Sequence, residues 1–152
     1  MKNKVEKLIN ELTYLLLICN DGKEGFKNAA ELTNTPELQS LFVEYSEQRS
    51  AFAETLKTYI HTLGGDADND TGGTLGILHR RWMDIKSVLS LKNDKVIMDT
   101  CITGERAAVE AYDKVLMRSI IEPGLKKVLM SQRDRIMDII ENVQEMKTWF
   151  SF

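Results

Sequence analysis

The chain has 152 residues, 43% hydrophobic and 28% charged, with a net charge of -3. A chain of this length buries roughly 70% of its unfolded surface, so one domain over residues 1–152 with a single core is expected. A pI near 5.5 argues against a nucleic-acid partner, which calls for a basic face. No segment approaches the roughly 20 apolar residues that span a bilayer, and Leu15–Ile18 comes too late for a signal peptide. No transmembrane segment is therefore expected, and a cytoplasmic location is the default.

In the first stretch, Val5, Leu8, Leu12, Leu15, Cys19, Gly22, Phe26, Ala29 and Thr33 recur in steps of three and four. That spacing predicts one helical stripe from about residue 3 to Thr33. The stripe narrows at Cys19, Gly22 and Ala29. Gly22 and Gly25 inside a helix cost roughly 1 kcal/mol each relative to alanine, so their presence calls for a packing reason.

Asn34-Thr35-Pro36 reads as a stop and restart, with Thr35 as N-cap and Pro36 at the first helical position. The second helix should return antiparallel from Pro36 to about Leu63. Its predicted seam is Leu38, Leu41, Tyr45, Gln48, Phe52, Leu56, Tyr59 and Leu63, with Gln48 as the polar entry. Gly64-Gly65 ends it. Asp66, Asp68 and Asp70 have the opening spacing of a calcium loop, but Thr71 and Ile77 stand where glycine and glutamate are needed, which predicts a solvated acidic loop.

A short amphipathic helix is predicted from Thr74 to about Leu89. His79 and Trp82 anchor it, with Arg80 and Arg81 outward; the alternative makes His79 a proton carrier or ligand. Asn93 or Asp94 caps the third long helix, which runs to about Arg118 on Ile97, Cys101, Gly104, Ala108, Ala111 and Val115. Glu122-Pro123 restarts the chain. The last helix runs to about Thr148 on Leu125, Leu129, Gln132, Ile136, Ile139, Val143 and Met146. Two long-helix hairpins joined by a long crossover are the ferritin-like pattern. The expected fold is all-α: an antiparallel four-helix bundle with a short extra helix in the crossover between the second and third long helices.

Aligned end to end, these helices bring Cys19–Gly22, Gln48–Arg49, Gly104–Arg106 and Gln132–Arg135 to one depth. Di-metal bundles place glutamates and Glu-x-x-His pairs at that waist, because residues three apart share a helix face. Here the histidines are His61 and His79, and neither follows a glutamate by three. A non-enzymatic protein without a cofactor is the expectation. The alternative is an iron or manganese site built from Asp21, Glu47 and Glu105, with Asp134 or His79 as further candidates. The plainer reading pairs Asp21 and Glu105 with Arg49, Arg106 or Arg135, and lets Gln48 and Gln132 hydrogen-bond across the core. Space at Gly22, Gly104 and Ala108 would suit a small ligand. Cys19 and Cys101 read as buried reduced thiols. The Trp149–Phe152 end reads as packing or as a patch for a second subunit.

Several motifs in order then carry a resemblance: Asp21-Gly22 with Gly25-Phe26 and Ala29-Ala30-Glu31; Pro36-Glu37-Leu38 with Leu41-Phe42; Gln48-Arg49 with Phe52-Ala53; Leu63-Gly64-Gly65-Asp66; His79-Arg80-x-Trp82; and Gly104-Glu105 with Ala107-Ala108 and Tyr112. Together they resemble the DUF2383 family of four-helix-bundle proteins in the ferritin-like superfamily. The resemblance implies that bundle, with no established activity attached; the expected partner, a homo-oligomer or another protein, is a separate expectation. Members often carry a histidine near the middle of the last helix, where this chain has Ile140. That departure lowers the expectation of shared metal chemistry.

Overall fold

The computed structural model describes residues 2–67, 93–118 and 121–149. Among them are four long helices and no strand: α1 (Lys2–Leu32), α2 (Pro36–Thr62), α3 (Asp94–Arg118) and α4 (Pro123–Trp149). The expected crossover helix, with His79 and Trp82, lies outside the described residues, as do Asp68 and Asp70 of the acidic loop. None of the described helices is long and apolar enough to cross a membrane.

The helix ends follow local chemistry. Asn93 caps α3, its Oδ1 accepting from the Lys95 and Val96 amides at 2.9 and 3.4 Å. Glu122 does the same for α4, accepting from the Gly124 and Leu125 amides. The end of α2 is a Schellman motif. The Gly65 amide donates to the Ile60 carbonyl and the Gly64 amide to that of His61, with Gly64 at φ 92°, where a side chain would be strained. Thr35 does stand at the N-cap of α2, extended, with Pro36 after it. Its hydroxyl is diverted, however. It donates to Asp94, which also accepts from Thr33 at 2.6 Å, so one carboxylate clasps the α1–α2 turn to the start of α3.

Cross-helix contacts set the directions. The Ser46 hydroxyl donates to the Lys23 carbonyl across α1 and α2, which run antiparallel. Thr33–Asp94 and Cys19–Tyr112 make α3 antiparallel to α1. Arg133–Asp113 and Lys147–Asp99 make α4 antiparallel to α3. Consequently α2 and α3 point the same way, and the end of α2 lies at the opposite end of the bundle from the start of α3.

The predicted stripes of α1, α3 and α4 face the core almost as written, although Val5, near the free end of α1, is exposed. In α2 the stripe is rotated. Leu38, Tyr45, Phe52 and Leu56 are buried as expected, but Phe42, Arg49 and Ile60 are buried, while Leu41, Gln48, Tyr59 and Leu63 are only half-buried. The rotated stripe carries Arg49, whose counter-ion stands on α3.

Candidate functional site

Arg49 is the largest fully buried side chain in the described structure, at 0% exposure, and Glu105 is 1% exposed. The Arg49 Nη2 donates to Glu105 Oε2, joining α2 to α3 through the bundle waist. The guanidinium also lies 5.8 Å from the ring centroid of Phe26, which stacks on Phe42 and meets Tyr45 edge-on. On its other side is Gly22. A Cβ there would sit 2.6 Å from Arg49 Nη1 and 3.2 Å from its Cγ. This is the packing reason for the glycine: α1 gives up a side chain so that the guanidinium can lie against its backbone. The space at Gly22 is thus taken by Arg49.

A second polar chain runs across the core. The Tyr112 hydroxyl donates to Gln132 Oε1 at 2.6 Å and lies 3.2 Å from Cys19 Sγ. Tyr112 has one proton and an amide oxygen only accepts, so the thiol is the donor to Tyr112. The chain crosses from α1 through α3 to α4.

Burial governs how these groups titrate. It pushes the Glu105 carboxyl above its ordinary value; Arg49 pulls against this through charge and hydrogen bond, and burial prevails. For Arg49, burial works against the charge, and Glu105 more than restores it. Burial pushes the Cys19 thiol from 9.0 to about 11, against the opposing effects of Arg49 and Tyr112. Cys101 and Tyr112 are also raised by burial. Protonated, buried thiols are poor nucleophiles and poor metal ligands.

The expected candidates do not all converge. Glu105 is engaged by Arg49, whereas Arg106 and Arg135 are exposed. Asp21 is half-buried next to Gly22. Glu47 is exposed and lines a separate groove on the outside of α1 and α2, together with Lys27 and Glu31. Asp134 is exposed and pairs with Arg133. His79 lies outside the described residues. No group of three or more His, Cys, Asp or Glu side chains converges among the described residues. Gln132 bonds to Tyr112 rather than Gln48, and the Gln48 Oε1 has no hydrogen-bond partner among the described residues. Sequence reasoning missed Tyr112 as a core hydrogen-bond donor. The available signal was its place on the small-residue face of α3, next to Ala108 and Ala111, where only a partner opposite would satisfy its hydroxyl. By the register of Asp113–Arg133 and Asp99–Lys147, Ile140 lies at the depth of Glu105, and it is buried there.

Fold and site together define, among the described residues, four long helices with the buried Arg49 and Glu105 paired to each other. The chain belongs to the DUF2383 family, a domain of unknown function, whose model matches residues 7–118. None of the curated proteins matches this chain.

Proposed function

We propose that this protein is a ferritin-like helical bundle that works in the cytoplasm through protein contacts, as a homo-oligomer or with another protein, and catalyses no reaction. The observation that carries this reading is the Arg49–Glu105 pair. At the waist, where a carboxylate-bridged metal pair would need uncommitted acids, the buried acid already has a cation hydrogen-bonded to it. The helix directions, with α2 parallel to α3, support the ferritin-like connection. Two buried free cysteines fit a reducing compartment.

One observation favours a second reading, a carboxylate site for iron or manganese: Glu105 Oε1 has no hydrogen-bond partner among the described residues. Elemental analysis of protein purified without chelator, combined with a ferrous-iron oxidation assay, separates the two. The contact reading expects substoichiometric metal and oxidation at the buffer rate. Stoichiometric iron or manganese that is lost in a folded Glu105→Ala variant overturns it. The contact reading also expects photo-crosslinkers placed along the exposed faces to form discrete protein adducts in cells. The absence of adducts from every face overturns it as well.

A further inference from the structure

We propose that the cleft between α2 and α4 is a docking site for an amphipathic helix of another protein that carries carboxylates on its docking face. This rests on the contact reading above and specifies the kind of partner. The cleft holds about 570 Å³, within the usual range of binding sites. Phe52 and Gln132, both buried, form its floor. Thr55 and Ser131 offer hydroxyls from opposite walls, and Lys127 and Arg135 project at the α4 rim.

These two cations differ from Arg133 and Lys147 on the same helix. Arg133 is held by Asp113 and Asp134, and Lys147 by Asp99. Among the described residues, the Lys127 and Arg135 side chains make no ion pair or hydrogen bond; the same holds for Lys126, which does not line the cleft. Glu54, on α2, is already paired with Lys57. The cleft therefore has the Phe52 ring beside the Gln132 amide at its base and carries uncompensated positive charge at its edge, in a chain that is acidic as a whole. Charge complementarity calls for an acidic occupant with an apolar side.

The spacing of the cations suits a helix. Lys127 and Arg135 are eight residues apart, about 12 Å along α4. Carboxylates seven or eight residues apart on one facing helix span about the same distance, with apolar side chains between them to meet Phe52. A single-headed acid such as a fatty acid reaches one cation and leaves the other.

The test uses the full chain, isotope-labelled, titrated with a synthetic helix-forming peptide that has a leucine stripe and glutamates at that spacing. Chemical-shift changes centred on Phe52, Thr55, Ser131 and Gln132 are expected. Affinity should fall about tenfold or more in the Lys127→Glu/Arg135→Glu variant. A peptide with lysines in place of the glutamates should then prefer that variant. Both substituted side chains are exposed, so an unchanged melting temperature is the folding control. The proposal is overturned if millimolar peptide leaves the cleft resonances unmoved, if the charge-reversed variant binds equally well, or if dodecanoate alone reproduces the shifts. It is also overturned if sedimentation shows wild-type copies associating through these residues. Failure here with crosslinks persisting from other faces removes only the cleft; failure of crosslinking from every face removes the contact reading itself.

Discussion

The two partners of the buried ion pair cannot be removed at equal cost. Glu105→Leu leaves a guanidinium at 0% exposure with no carboxylate, and arginine does not give up its proton. Breaking a buried pair in this way costs about 3–5 kcal/mol. Arg49→Met leaves a carboxyl that burial already raises, and it escapes by taking a proton. Its loss is held to about 1–3 kcal/mol, the scale of one poorly satisfied buried group. The sign with pH follows. A carboxyl whose folded pKa is raised contributes stability that is fully present below its unfolded pKa and is lost as pH rises through the folded value. Arg49→Met should therefore come nearest to wild type at acid pH and fall away towards neutrality, while Glu105→Leu stays low throughout. The double variant, with both charges gone, should recover most of the loss. Urea unfolding followed by far-ultraviolet circular dichroism, repeated across acid and neutral pH, measures all three. Arg49→Met as unstable as Glu105→Leu at acid pH, or a double variant as unstable as the sum of the singles, would refute the reasoning.

Gly22→Ala gains about 1 kcal/mol of helix propensity but drives a methyl against Arg49 Nη1 and Cγ, at a cost of about 1–3 kcal/mol. Because Glu105 and Phe26 pin the guanidinium, net destabilisation is expected by thermal melting, and a stabilised variant would show that the arginine moves freely. Cys19 loses its stabilising effect as pH rises from 9.0 to about 11, because the unfolded thiol ionises first; the integrated loss is on the order of a few kcal/mol. A Cys19→Ala variant should show a shallower decline of unfolding free energy over that range, and parallel curves would contradict this. Asp94→Ala leaves the fully buried Thr33 hydroxyl without its acceptor and should cost about 1–3 kcal/mol, with faster amide exchange at the start of α3.

The stripes of α1, α3 and α4 were legible because apolar side chains at helical spacing leave little choice about which face goes inward. The ion pair was legible only as one of several pairings. Arg49 is the charged residue in a stripe that Phe42, Tyr45, Phe52 and Leu56 otherwise make apolar, and its partner is 56 positions away, beyond any local pattern. Reading Gln48 as the polar seam residue was the natural error, since an uncharged amide costs less to bury than a guanidinium whose counter-ion is unknown. Gly22 was the better clue. A glycine in the middle of an otherwise strong helix announced a close neighbour, although it could not say which. The cleft was not legible at all, because Lys127 and Arg135 look like any exposed cations until the packing of α2 against α4 shows that both line one cleft.

The ionic layer and the cleft therefore do different work in this molecule. Gly22, Phe26, Arg49, Glu105, Cys19 and Tyr112 all lie within the stretch matched by the family, residues 7–118, whereas Lys127 and Arg135 lie on α4 beyond it. The layer holds α1, α2 and α3 in one register through a charge pair that tolerates no half-measures, since an unpartnered guanidinium costs more than the pair contributes. The α4 helix joins this frame through Tyr112–Gln132, the part-exposed Arg133–Asp113 and Lys147–Asp99 pairs, and its buried apolar stripe from Leu125 to Val143. Gln132 sits at that junction, bonded to Tyr112 in the core and forming the floor of the cleft. Tyr112→Phe would cut the tie without altering the cleft's cations, so any change it makes in peptide affinity measures how far the frame positions the docking face.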